Sequence, residues 1–123
     1  MKREGGPSIN SERIAIEAAL ALDAKQAADI RVFDVRGVSS VTDFTVVATG
    51  TSSPHLKALV SETRRRMKEL GVACHRMSGE PDSGWVVADY INAVVHVFSS
   101  EARAYYAIEK IWATAKEVQL PQS

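Results

Sequence analysis

The sequence predicts a single α/β domain with a mixed five-stranded sheet and three helices. The chain has 123 residues, of which 46% are apolar, enough to bury one core without metals or disulfides. Segments with helical periodicity alternate with short β-branched and aromatic runs, in the order αββαβββα. We expect the domain to span residues 10–118, between a flexible lead of residues 1–9 and a tail of residues 119–123.

The first half of the chain predicts a helix, two strands and a second helix. The first helix is expected to begin at Asn10 or Ser11, both good caps. Two strands over residues 30–35 and 43–49 follow, and their short link suits an antiparallel pair. A turn over residues 50–54 then supplies a glycine, cap hydroxyls and a proline before an amphipathic helix. The expected buried residues of that helix are Leu56, Leu59, Val60, Thr63, Met67 and Leu70.

The second half predicts three further strands and a last helix. The strands are expected near residues 74–77, 85–88 and 93–98. The second strand, the second helix and the third strand form a predicted right-handed parallel crossover. The last helix is expected to begin at the caps Ser99 and Ser100. Its expected buried residues are Ala102, Tyr105, Ile108, Ile111, Trp112 and Ala115.

The two strands before the last helix form a predicted hairpin with two unlike faces. A turn over residues 89–92 would set Ala88 opposite Ala93 and Trp85 opposite His96. One face is then aliphatic and suits a core. The other face carries Trp85, Val87, Val94, His96 and Phe98. Aromatic side chains with a polar tip are common at interfaces, so this second face is either a partner surface or is covered by the first helix.

Composition argues against several classes of partner. Fifteen basic and fifteen acidic residues balance, which removes the broad attraction that non-specific nucleic-acid binders and membrane-surface proteins use. Cys74 is the only cysteine, and no apolar run approaches the roughly 20 residues needed to cross a bilayer. We therefore expect a cytoplasmic protein. The basic run of residues 64–66 lies beside Glu62 and Glu69, so we interpret it as a solvated helix face rather than as an RNA-binding module.

A catalytic alternative depends on the turn of residues 50–53 together with Asp43 or Asp89. The turn joins a strand to a helix N-terminus, where anions bind well, but it lacks the lysine and the glycine spacing of a P-loop. The aspartates form no Asp-x-Asp pair for two metals, and Asp29, Asp43 and Asp89 fall at strand boundaries, where aspartate commonly caps turns. A nucleotidyl- or phosphoryl-transfer enzyme is therefore the second hypothesis.

The histidines and the cysteine form no recognisable metal or nucleophile motif. His55, His75 and His96 lie on three different elements without the spacing of zinc ligands. Cys74 is predicted to be a small buried side chain, and no Gly-x-Ser-x-Gly elbow marks a serine nucleophile. A Ser-His-Asp triad, which needs only proximity in space, stays open at this point. We expect no metal and no cofactor.

Several motifs carry a family resemblance when they are taken in order. They are Asp34-Val35, Ser40-x-x-Asp43-Phe44-x-Val46-x-Ala48-x-Gly50-x-Ser52, Gly84-Trp85-Val86-x-x-Asp89-Tyr90, Val95-His96-Val97-Phe98 and Arg103-x-x-Tyr106-x-x-Glu109-x-x-Trp112. Together they resemble the ribosomal silencing factor family, also called Iojap-like. The resemblance runs from about the first helix to Trp112, which is most of the chain.

The resemblance implies a fold related to nucleotidyltransferases, without their catalytic carboxylate pair, and so a binding protein rather than an enzyme. It implies that the chain binds the large ribosomal subunit through ribosomal protein fourteen, blocks subunit joining and lowers translation. Family members appear as dimers, so a homodimer is a further possibility; contact with free nucleic acid is not expected. By resemblance the partner-binding residues are Trp85, Asp89 and Tyr90, with His96 and Arg103 as lesser candidates.

Two loops depart from the family pattern. The usual Glu-Gly is Glu80-Pro81 here, and the usual Asp-Tyr-Gly-Asp is Asp89-Tyr90-Ile91-Asn92, which lacks the glycine and the second acid. The resemblance therefore does not extend to contacts from these two loops.

Overall fold

A computed structural model describes residues 10–121 and contains one six-stranded mixed sheet. The helices are α1 (Ser11–Ala24), α2 (Ser53–Glu69) and α3 (Ser100–Tyr106). The strands are β1 (Ala28–Asp34), β2 (Phe44–Gly50), β3 (Arg76–Glu80), β4 (Trp85–Asp89), β5 (Ala93–Ser99) and β6 (Lys116–Val118). Short 3-10 helices cover Pro81–Ser83 and Ile108–Trp112. The predicted lead of residues 1–9 and the last two residues of the tail lie outside the described residues.

Helices α1 and α2 pack side by side on one face of the sheet and enclose the main core. The Asn10 side chain caps α1 by accepting from the Arg13 N–H, and Ser52 caps α2 in the same way with His55. The predicted buried side of α2 is confirmed from Leu56 to Met67. The aliphatic face of the hairpin joins this core, as predicted, through Val86, Ala88, Ala93, Val95 and Val97. Among the described residues, no helix is long and apolar enough to cross a membrane.

The predicted five-stranded sheet is wrong in one strand and in one pairing. The strand order is β3-β4-β5-β2-β1-β6, and the unpredicted β6 pairs antiparallel with β1 at the edge. Strand β2 pairs in parallel with β5 instead of with β3, so the crossover through α2 ends two strands later than predicted. The physical reason is burial: all five residues of β3 are exposed, which suits an edge, whereas β5 is apolar enough for the sheet centre.

The predicted hairpin register is wrong by two residues, while the predicted faces are correct. Trp85 lies opposite Phe98. The Tyr90 N–H donates to the Ala93 carbonyl (2.9 Å), so the turn contains only residues 91–92 instead of four residues. A slip of two residues leaves every side chain on its original face, because side chains alternate with a period of two.

The predicted last helix is also wrong in its length and in part of its buried side. Helix α3 ends at Tyr106, and Ala107 has a positive φ of 48°, which breaks the helix before the 3-10 segment begins. Tyr105 is 81% exposed and Ile111 is 70% exposed, whereas both were expected to be buried. The break redirects the chain, so that a single helical face does not continue from α3 to Trp112.

Gly50 is expected to be required for the close packing of α2 on the end of β2. A Cβ at this position would lie 2.7 Å from Cδ2 of the buried Leu56 and 3.2 Å from Cδ1 of Leu59. The Gly50→Ala variant should therefore lower the free energy of unfolding by about 1–3 kcal/mol, measured by urea denaturation. Gly37→Ala is the matched control, because a Cβ there meets no atom within 4 Å. Equal stabilities of the two variants would contradict this packing.

Candidate partner-binding surface

The sheet face opposite α1 and α2 carries a second, smaller core. Its buried residues are Phe33, Val35, Val47 and Phe98, and Trp85, Ala102, Ile108, Trp112 and Ala115 pack against them. The segment from α3 to the 3-10 helix of residues 108–112 covers this face, and α1 does not. The cover is incomplete, so aromatic side chains remain accessible at the β4 end of the face.

Trp85 is held on its inner side and open on its outer side. Its ring stacks on Phe98 with centroids 5.0 Å apart, and the Tyr106 ring lies 4.7 Å away. Tyr106 is itself 48% exposed, and a surface groove of about 300 Å³ runs past Trp85, Val87 and Tyr106 beside Gly79 of β3. We call Trp85, Val87 and Tyr106 the aromatic surface. It combines a fixed geometry with accessible apolar area.

His96 orients Trp85 from beneath. The indole Nε1–H donates to His96 Nδ1 at 3.2 Å, so Nδ1 is an acceptor and the ring proton of the neutral imidazole is on Nε2. Burial lowers the pKa of His96 to about 4, which keeps the ring neutral near pH 7. Trp112 contacts the same imidazole from α3's side, with centroids 5.8 Å apart. The role of His96 is therefore to position the indole.

Asp89 and Tyr90, the two candidates next to the hairpin turn, lie in different environments. Asp89 ends β4, and its carboxylate accepts the Ile91 N–H at 2.8 Å, which stabilises the hairpin turn. Tyr90 is only 2% exposed and lies in the main core, so the expectation that it belongs to the surface pattern is wrong. Burial raises the pKa of the Tyr90 phenol, and its hydroxyl has no hydrogen-bond partner in residues 10–121. Because the turn contains only residues 91–92, Tyr90 still follows the alternation of β4 and points to the core face, like Val86 and Ala88.

Arg103 links several elements inside the domain, and we call its hydrogen bonds to Glu109, Thr49 and Asp29 the Arg103 clasp. Its side chain is 12% exposed, and its guanidinium donates to Glu109 twice (both 2.9 Å), to Thr49 Oγ1 (2.8 Å) and to the Asp29 carbonyl (2.7 Å). The hydrogen bonds from Arg103 lower the pKa of Glu109. Arg31 donates to the same carboxylate at 3.1 Å. Arg103 therefore ties α3 and the 3-10 helix to β1 and β2, and most of its donors are already used.

The structure brings together only part of the predicted site. Trp85 and His96 are in direct contact, whereas Asp89 lies at the other end of β4 and Arg103 reaches away towards β1. Tyr106 was not among the predicted site residues. Its place in the Arg103-x-x-Tyr106 motif, one helical turn beyond Arg103, was the available signal, but its contact with Trp85 depends on the position of α3 on the sheet.

The residues of the catalytic alternative do not converge. The turn of residues 50–53 follows β2, whereas Asp43 precedes it, so the two lie at opposite ends of the strand. The Thr51 N–H donates to His55 Nδ1 (2.9 Å), and Asp43 accepts from the Ser11 hydroxyl (2.7 Å). Within residues 10–121, no group of three or more His, Cys, Asp or Glu side chains is arranged to hold a metal ion.

The burial of His96 predicts a pH dependence of stability. The folded pKa of about 4 lies below the ordinary 6.5, so the unfolded chain takes up the proton first. Stability should be complete above pH 6.5 and should fall as the pH drops towards 4, by about 2–3 kcal/mol at pH 4.5. Urea unfolding from pH 7 to 4.5 should show this slope in the wild type and in the exposed control His75→Gln. A slope equal to that of the wild type in His96→Gln would contradict this role.

The chain is similar to named proteins over most of its length. It is 36% identical over 107 residues to ribosomal silencing factor RsfS of Bacillus subtilis, covering 87% of this chain and 91% of that protein. It is 29% identical over 110 residues to the chloroplastic protein Iojap of Zea mays, covering 87% of this chain and 46% of that protein. A crystal structure of a protein from Chromobacterium violaceum matches with a TM-score of 0.82 and 30% identity, covering 94% of this chain and 95% of that one.

The match to a protein family extends over nearly the whole chain. A family model described as "Ribosomal silencing factor during starvation" matches residues 8–123, which include the complete sheet and the aromatic surface. The resemblance drawn from the sequence motifs is therefore confirmed, and this chain belongs to the ribosomal silencing factor family.

Proposed function

We propose that this chain represses translation by binding the large ribosomal subunit through ribosomal protein fourteen and blocking subunit association in the cytoplasm. Its membership of the ribosomal silencing factor family supports a role on the ribosome. The observation that supports a contact site is the aromatic surface, where Trp85 is fixed from below and Tyr106 stands 48% exposed beside it. Rigid aromatic side chains of this kind are common at the centres of protein interfaces.

The candidate residues divide into contact residues and positioning residues. We assign contact to Trp85 and Asp89, and add Tyr106. His96 holds the indole through its hydrogen bond, and Arg103 holds α3 in place. This division follows burial, because the Arg103 side chain is 12% exposed and, with most of its donors already used, offers little to a partner.

We propose that the action is steric and not catalytic. The turn after β2 and the aspartates at its other end are too far apart along the strand to form one site, which argues against the transferase alternative. The predicted relation of the fold to nucleotidyltransferases, the homodimer and the domain bounds of residues 10–118 stay predictions.

Tyr106→Ala should weaken binding to purified large subunits at least tenfold with little change in the melting temperature. The side chain is half exposed, so its removal takes apolar area from the interface and little from the core. Val41→Ser is the control, because Val41 is 76% exposed on the loop between β1 and β2. Co-sedimentation across a protein titration gives both affinities. Tyr106→Ala binding within twofold of the wild type would refute the assignment of this surface.

The order in which components are mixed should decide the outcome of a subunit-joining assay. Protein added first to large subunits should prevent joining at about one copy per subunit once its concentration exceeds the dissociation constant, because occupation follows mass action. Subunits that are already tightly joined should resist. A block that survives removal of the protein by washing, or that needs far less than one copy per subunit, would indicate covalent modification and contradict the steric mechanism.

A further inference from the structure

The three consecutive arginines of α2 differ in their electrostatic surroundings. Arg65 forms ion pairs with Glu62 (2.6 Å) and Glu69 (2.7 Å), and Arg66 pairs with Glu17 of α1 (2.8 Å). In the described part of the chain, Arg64 has no carboxylate oxygen within 4.0 Å, and neither has Lys68. Within the described residues, Arg65 and Arg66 are therefore paired with acids, whereas Arg64 is not. In the same part of the chain, Lys68 is a second unpaired cation beside it.

Arg64 and Lys68 lie over one groove. They are four residues apart and hence neighbours on the same flank of α2, on the side away from the Arg66 contact with α1. The groove is open, has a volume of about 440 Å³ and is completed by Gly71–Cys74, with no acidic residue in its lining. Like charges at this spacing destabilise a helix by about 0.2–0.5 kcal/mol, so an anionic partner would relieve a repulsion that the fold leaves in place.

We propose that Arg64 and Lys68 form a second contact, with the phosphate backbone of RNA, and that this contact rests on the proposed binding to the large ribosomal subunit. A planar guanidinium and a flexible ammonium over an acid-free groove suit phosphate oxygens. Two exposed cations are too few to bind RNA alone, in agreement with the zero net charge of the chain. They become effective once another surface has anchored the protein, because the local RNA concentration is then high.

The two surfaces lie at opposite ends of β4, next to the edge strand β3, which supports their use together. The groove segment runs past one end of β4, where the Cys74 thiol lies 3.9 Å from the Asp89 carbonyl. Trp85 of the aromatic surface begins the same strand at its other end. A ribonucleoprotein surface that meets the β3–β4 edge would therefore present protein to one side of the sheet and phosphates to the other. We do not expect a free phosphate ion to bind here, because the groove is open and has only two donor side chains.

The test is the salt dependence of binding to purified large subunits. Affinities of the wild type, R64Q/K68Q and the charge-matched control R13Q/R65Q are measured across a range of KCl concentrations. The control removes two arginines that pair with acids inside the domain. Each lost phosphate contact lowers the magnitude of the slope of log affinity against log salt by about 0.7–0.9. The slope of R64Q/K68Q should therefore be smaller than that of the wild type by about 1.5, and its affinity at 0.1 M salt should be about tenfold or more weaker. The charge-retaining R64K/K68R should keep the wild-type slope.

The outcomes separate this inference from the proposed function. An R64Q/K68Q slope equal to that of the wild type, or equal to that of R13Q/R65Q, would overturn the RNA contact. A slope difference that persists with RNA-free protein extracted from large subunits would overturn it too, in favour of an acidic protein partner. Tyr106→Ala should lower the affinity without changing the slope. If the wild type does not bind large subunits at all, the proposed function is refuted. If the wild type binds and R64Q/K68Q has an unaltered slope, only the phosphate contact is refuted.

Discussion

The double-sided burial of β2 is the constraint on which the rest of this structure depends. All seven residues of β2 are buried, and the strand is paired on both sides, in parallel with β5 and antiparallel with β1. A strand with no exposed face needs cover above and below the sheet. Helices α1 and α2 supply one cover with a large apolar area. The other cover is the short C-terminal segment, which buries far less and is held by the Arg103 clasp.

The incompleteness of the second cover creates the candidate surface. Helix α3 has only seven residues and packs on β5 and β2, so the β4 end of the face stays accessible. Trp85 thus has a core partner, Phe98, on one side and the exposed Tyr106 on the other. The residues that stabilise this part of the fold and the accessible residues of the aromatic surface are therefore neighbours.

The sequence correctly predicted the features of the fold that depend on the local spacing of apolar residues. The buried side of α2 and the two faces of the hairpin follow from periods of 3.6 and 2, and the faces were correct despite the wrong register. The partner of β2, the polar strand β6 and the helix break at Ala107 were not predictable, because pairing is non-local, three residues carry no period, and alanine is a strong helix former. For the candidate site, the sequence placed Trp85 and His96 on one face of the hairpin, as they are in the structure. The inward direction of Tyr90 was missed, because it depends on a two-residue turn that composition does not reveal.

The contact of both tryptophans with one imidazole has a spectroscopic consequence. The chain contains two tryptophans, and their rings lie 6.1 Å and 5.8 Å from the His96 ring. Intrinsic indole emission therefore originates entirely from the α3 face, and the larger core between the sheet and α1 and α2 contributes no indole signal. Fluorescence of the unlabelled protein is consequently a local optical reporter of events on that face, whereas far-ultraviolet circular dichroism follows the backbone as a whole. The difference between the two signals separates loosening of the C-terminal cover from unfolding of the domain.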